Sequence, residues 1–326
     1  MSPMPEFRFL SLALILLASV VSCGEADRSI ENSEADASGA QPPTVALIMK
    51  SLANEFFVTM ADGATTHQAA HSDQYRLIVN GIKNEVDLTQ QVALIDQMIA
   101  SEVDAIVISP ADSKAVVPAL ARAHAKGIVV INIDNRLDRE TLAEYGLAIP
   151  FVGPDNFQGA RLVGQYLASH LSPGQEVAIL EGVPSAFNSR RRTAGFDTAM
   201  QDAGMNVVAK QSAQWDQTLA VTITSALLVQ HPNLAAILCA NDNMALGAVA
   251  AVTRAGKAEQ IKIIGFDNIS AVQKLIKEGT VLATIDQHAA QLATFGIEHA
   301  LDSLATTKSV SDKVTPADLI TRDQIN

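Results

Sequence analysis

The chain has 326 residues, 48% of them hydrophobic and 18% charged, which are the proportions of a globular α/β protein long enough for two lobes. Its 23 basic and 35 acidic residues leave a net charge of −12 with no extended run of Lys or Arg. That balance gives a phosphate backbone no place to dock, so nucleic acid is excluded as an expected partner.

The opening residues read as an export signal. Arg8 precedes an apolar stretch at residues 9–21, too short to cross a hydrocarbon core of roughly 30 Å but of the length of a signal-peptide core. Residues 1–22 are therefore expected to be cleaved. The junction Val20-Val21-Ser22-Cys23 is similar to the bacterial lipobox, which makes Cys23 the expected lipid anchor. Residues 24–43 are polar and acidic without apolar periodicity, so residues 23–43 read as a lipidated Cys and a flexible tether. The only other cysteine, Cys239, lies inside an apolar run and is expected to be a small buried hydrophobe.

From residue 44 strands and helices alternate. Strands are expected at residues 44–49, 75–80, 105–109 and 128–133, with helices at 56–70, 88–99 and 114–125 between them. A second series starts near Pro154: helix 155–171, strand 176–182, helix 191–204 and strand and loop to Trp215. Helix 217–230, strand 235–240, helix 243–255, strand 261–266, helix 270–278 and strand 281–285 follow. A last helix at 288–305 and a short strand at 317–321 close the chain. Strand, helix, strand at this spacing requires parallel pairing with right-handed crossovers, so the expected fold class is α/β, two doubly wound parallel-sheet lobes.

Four apolar runs stop at a polar group: AIVIS at Ser109, IVVINI before Asp134 and Asn135, AAILCA before Asn241 and Asp242, and IKIIGF before Asp267 and Asn268. These groups stand at the carboxyl ends of strands, where open α/β sheets bind ligands. Asp134 and Asn135 offer a carboxylate and an amide to vicinal hydroxyls, and Asn54 offers an amide just after the first strand. Phe56 and Phe57 follow it, two rings able to stack on the apolar face of a sugar in a chain with 14 aromatics; Phe57 fits the core of the first helix equally well. Trp215, the only Trp, lies in a polar context that favours a binding face. Arg190, Arg191 and Arg192 are expected on a loop, two of them solvated and one guanidinium turned into the cleft to hold oxygens bidentately. Asp112 is expected to cap a helix, and Gln287 follows the strand before the last helix.

Phosphate-cradling glycine motifs, a G-x-S-x-G elbow and His pairs at metal-ligand spacing are missing from the sequence. An enzyme would have to use Asp134 and Asp267 as an acid pair. No catalysis, cofactor or metal is expected.

The segments ANEFFVTMADGA, IVISPADSKAV, ANDNMALGAVAAVTRAGK and IIGFDN resemble the ribose-binding-protein family of substrate-binding proteins, which serves sugar ABC transporters and shares its fold with the core of LacI-type repressors. The resemblance runs from about Thr44 to Ile325. It implies two lobes joined by three hinge crossings near residues 152–154, 286–287 and 315–316, with residues 44–153 and 287–315 in the first lobe and 154–286 and 316–326 in the second. By position it implies ligand contacts from Asn54, Phe56, Phe57, Asp134, Arg192, Trp215, Asn241, Asp267 and Gln287. The family's ribose binders have Asn at the position of Ser109 and Arg at that of Asn135, so these two residues are the ones expected to set which sugar binds.

The expected function is that of a monomeric extracytoplasmic lipoprotein, in the periplasm or at the cell surface, that captures a monosaccharide or polyol and delivers it to a membrane ABC permease. The same fold also serves as a sensing module that presents a sugar or autoinducer to a sensor kinase or chemoreceptor. A cytoplasmic repressor is excluded, because residues 8–23 stand where a helix-turn-helix would have to be.

Overall fold

A computed structural model describes residues 41–306 and 310–325. The expected signal segment, the lipidated Cys23 and the tether as far as residue 40 lie outside the described residues. Short runs of β-branched and aliphatic residues become strands buried on both faces, because the connections between parallel strands are helices that cover the sheet. The first series comprises β1 (Thr44–Ser51), α1 (Glu55–Ala70), β2 (Arg76–Ile82), α2 (Leu88–Ala100), β3 (Ala105–Ile108), α3 (Val117–Ala125), β4 (Val129–Ile133), α4 (Arg139–Glu144) and β5 (Phe151–Pro154). The second comprises α5 (Asn156–Ala168), β6 (Glu176–Glu181), α6 (Phe187–Asp202), β7 (Asn206–Ser212), α7 (Gln217–Gln230), β8 (Leu234–Cys239), α8 (Asp242–Arg254), β9 (Lys262–Ile264), α9 (Ser270–Glu278) and β10 (Ala283–Asp286). The chain then adds α10 (Ala289–Ala305), β11 (Lys313–Thr315) and β12 (Asp318–Thr321).

One sheet runs β2-β1-β3-β4-β5-β11, all parallel; the other runs β7-β6-β8-β9-β10-β12, parallel except for the antiparallel edge pair β10 and β12. Each sheet therefore reverses strand order beside its first strand, between β1 and β3 and between β6 and β8, and the crevice at such a point is the ligand position of open α/β sheets. Helices α1 and α10 cover one face of the first sheet and α2 and α3 the other, while α5 packs on α6 and α7 on α8 in the second lobe. Gly195 lets α6 approach α5 closely, since a Cβ there would run into the Phe157 carbonyl and Ala160. Among the described residues the chain passes between the sheets three times: at Asp155, at Gln287 and His288, and at Pro316 and Ala317.

Three short elements depart from the sequence expectation. β11 is an edge strand of three residues, KVT, and β5, of four residues ending in Pro, lies between it and β4, both too short to show a period; α4 has only six residues. Helix α6 begins at Phe187 rather than 191, so Arg190 to Arg192 lie within a helix instead of on a loop. Asp112 accepts from the backbone N–H groups of Lys114 and Ala115, capping the turn that leads into α3. Cys239 is buried, and burial pushes its thiol well above the usual range. No described helix is long and apolar enough to cross a membrane.

Candidate functional site

The two lobes meet over a cavity with about 240 Å³ of space between its atoms, lined by Lys50, Asn54, Phe56, Phe57, Glu85 and Asp134 from the first lobe and Asn188, Arg192, Trp215, Asn241 and Asp267 from the second. Wider grooves of about 770 and 1120 Å³ flank it between the lobes.

The first-lobe wall is built from strand ends. Lys50, at the end of β1, is 3% exposed and pairs with Asp134 at 3.0 Å. That oxygen of Asp134, Oδ2, also accepts from the Ser109 hydroxyl at 2.6 Å. Oδ1 of Asp134 has no protein donor among the described residues. The Asn54 carbonyl oxygen caps α1 by accepting from Phe56 N–H, while its amide donates to Glu85 Oε1 at 3.1 Å. Burial pushes the Glu85 carboxyl up to about 7, against Lys50 and the Asn54 hydrogen bond. Phe56 and Phe57 meet edge to face at 5.1 Å, both 3% exposed, and serve the cavity wall and the core together.

In the second lobe Arg192 is 2% exposed and nearly saturated. It donates from Nε to Asn156, from Nη1 to the Ala240 carbonyl and to Asp267 Oδ1, and from Nη2 to Gln287. Of five guanidinium N–H groups, one on Nη2 is left, so it can give a ligand a single hydrogen bond rather than a bidentate clasp. Gln287 returns its amide to Asp267 Oδ1 at 2.6 Å, leaving Oδ2 of Asp267 for the cavity. Burial pushes the Asp267 carboxyl up, opposed first by Arg192. Asn241 caps α8 through its carbonyl oxygen, which turns its amide donors to other use, while Asp242 beside it is wholly buried on Ile269 N–H and the Thr284 hydroxyl. Trp215 lies over Gly182, where any Cβ would overlap the indole, and its indole N–H has no protein partner.

Asp134, Trp215 and Asp267 all have positive φ, at 59°, 67° and 130°. Non-glycine residues held there store about 1–3 kcal/mol each, a strain that concentrates at functional sites.

Of the eleven residues expected from sequence, Asn54, Phe56, Phe57, Asp134, Arg192, Trp215, Asn241 and Asp267 line the cavity. Ser109, Asn135 and Gln287 do not. Ser109 and Gln287 hold the carboxylates of Asp134 and Asp267 from behind. Asn135 donates to the Pro110 carbonyl and accepts from the backbone of Asn188. Ser109 and Asn135, the two residues expected to set sugar identity, are both fully buried on these protein partners. Sequence reasoning missed Lys50, Glu85 and Asn188. Lys50 carried the same signal as the other strand ends, a polar group closing the run TVALIM, whereas Glu85 and Asn188 sit in polar surroundings that give no such mark. Among the described residues no cluster of His, Cys, Asp and Glu is placed to hold a metal ion.

Residues 45–308 match the family model described as a periplasmic binding protein domain. A relative from Pseudomonas aeruginosa named D-ribose/D-allose-binding protein is 52% identical over 285 residues, 86% of this chain and 89% of that protein. Among solved structures, an ABC transporter solute-binding protein from Burkholderia multivorans, with an unknown ligand built as α-D-erythrofuranose, is 51% identical with a TM-score of 0.85 over 86% of this chain and 100% of that one. Another from Actinobacillus succinogenes, with bound D-allose, is 37% identical with a TM-score of 0.82 over 86% and 98% of the two chains.

Proposed function

Because the chain belongs to the periplasmic binding protein family, with residues 45–308 matched, we propose that it captures a neutral aldose of the D-ribose and D-allose type and delivers it to an ABC permease. The observation that carries this reading is the pattern of unused polar atoms on a charge-balanced wall. Lys50 and Arg192 are each tied to an acid, Asp134 and Asp267, so the four charges cancel and a charged ligand would enter uncompensated. What remains includes one carboxylate oxygen on each acid, one N–H of Arg192, the Trp215 indole N–H and the Asn241 amide, beside the Phe56, Phe57 and Trp215 rings. A sugar ring matches this set, since each hydroxyl both donates and accepts and the C–H face stacks on an aromatic.

D-Ribose and D-allose share the configuration of the ring hydroxyls they have in common, and both names occur in the 52% identical relative. The acids act as fixed acceptors, and the protein turns nothing over. It works outside the cytoplasm as a monomer anchored through lipid on Cys23. A thermal-shift screen of D-ribose, D-allose, D-arabinose, D-glucose and myo-inositol tests the reading. A ligand at about 100 times its Kd adds roughly 2.7 kcal/mol of stability. D-Ribose or D-allose is expected to give the largest rise, and no response to either sinks the proposal.

A further inference from the structure

Six helices are capped by a side chain of their own: Asn54, Asp87, Asp138, Asp155, Asp216 and Asn241 each accept from the first turn. Helices α6 and α9 are not. Their N-cap positions have the extended backbone of a cap, but the residues there are Ala186 and Ile269, which have no acceptor to offer. Orphan N–H groups at a helix start take a partner where one is in reach, and for Phe187, Asn188 and Ser270 it comes from the opposite lobe. The Ser113 hydroxyl accepts from Phe187 N–H at 2.9 Å, and Asn135 Oδ1 accepts from Asn188 N–H at 3.2 Å. Glu55 Oε1 accepts from Ser270 N–H at 2.7 Å, where the dipole of α9 also favours its charge.

We propose that the first lobe caps two helices of the second across the cleft, so that Glu55, Ser113 and Asn135 set the balance between open and closed forms, and through it the affinity for sugar, without lining the sugar cavity. The N–H groups of Phe187, Asn188 and Ser270 have these partners only when the cleft is shut, whereas Ser189 and Ile269 keep theirs, Asn188 and Asp242, within the second lobe. Opening gives the first three N–H groups to water, whereas the six self-capped helices are indifferent to it. Apparent affinity scales with the fraction of binding-competent protein, so weakening the latch raises Kd even though no contact to the sugar is lost. The assignment also gives Asn135 a role that its place behind the wall denies it as a sugar contact.

The affinity part of this inference rests on the sugar-binding reading above; the closure part does not. The test compares Glu55→Ala, the double variant Ser113→Ala/Asn135→Ala, and the triple. Calorimetry with D-ribose and D-allose is expected to show roughly three- to tenfold weaker binding for each half of the latch and roughly ten- to hundredfold for the triple, with faster dissociation. Ala186→Ser provides the opposing control, because a hydroxyl at that position caps α6 in open and closed forms alike. It is expected to weaken sugar binding while leaving the thermal midpoint unchanged or higher, which damage to the fold would not do. Binding within twofold of the unmodified protein for Glu55→Ala and the double variant, or tighter binding by Ala186→Ser, overturns the latch. If neither sugar binds the unmodified protein, the ligand assignment has failed, and small-angle scattering of the ligand-free proteins decides the latch alone. The triple variant must then be more extended, and identical curves overturn it.

Discussion

Replacing Asp267 with Asn keeps the shape of the side chain and removes its charge. Oδ1 already accepts from Gln287 at 2.6 Å and from Arg192 at 3.4 Å, so the new amide satisfies both by placing its oxygen there. That puts an NH₂ group where Oδ2 faced the cavity, opposite a sugar hydroxyl that had been donating. A hydrogen bond to a charged acceptor contributes about 1.5–3 kcal/mol, and a hydroxyl left facing a donor adds about 1 kcal/mol. The expected loss is about 2.5–4 kcal/mol, about 70- to 900-fold in Kd. Isothermal titration with D-ribose and D-allose measures it, on protein whose circular dichroism matches the unmodified chain. A loss below threefold in a folded variant would refute the placement of Asp267 in the sugar wall.

Gly182→Ala should push the indole of Trp215 out of its seat; as this is the only Trp in the chain, its emission should move to the red and sugar affinity should fall about tenfold. Unchanged emission would show that the indole does not depend on Gly182. Ser109→Ala removes the 2.6 Å bond to Asp134 and is expected to cost about 1.5–3 kcal/mol of stability by denaturant titration, with the ribose-to-allose preference intact; a reversed preference would restore Ser109 as a sugar contact. Burial pushes the Glu85 and Asp242 carboxyls up to about 7, so the folded protein keeps protons that the unfolded chain releases near pH 4, and stability falls as pH rises from there to about 7. Glu85→Gln should make that fall shallower in a thermal-midpoint profile, and a profile identical to the unmodified one would contradict the burial of Glu85 in the closed cleft.

The doubly wound architecture was legible because parallel strands buried on both faces leave continuous apolar runs, as in β1, β3 and β8. β5 and β11 escaped because strands of three or four residues are too short to show such a run. At the site, the strand-end rule located Asp134, Asn241 and Asp267, since a polar group after a buried strand has few places to go except the sheet edge. It could not tell which side of the wall a group occupies. Ser109 and Asn135 end their strands just as Asp134 does, yet only the three-dimensional packing shows them turned onto protein partners. Arg192 illustrates the same limit: that one of three arginines points inward was readable, but four of its N–H groups are consumed by Asn156, Ala240, Asp267 and Gln287. Caps supplied across the cleft leave only a negative mark in sequence, an Ala or Ile where Ser, Asp or Asn is usual.

A crystal structure of the complex with D-allose or D-ribose tests the central claim most directly. The ring is expected between the lobes, its hydroxyls on Asp134 Oδ1, Asp267 Oδ2, the Asn241 amide and the remaining Arg192 N–H, and its face against Phe56, Phe57 or Trp215. A sugar seated in one of the flanking grooves, with Asp134 and Asp267 still bonded only to Lys50, Ser109, Arg192 and Gln287, would contradict it.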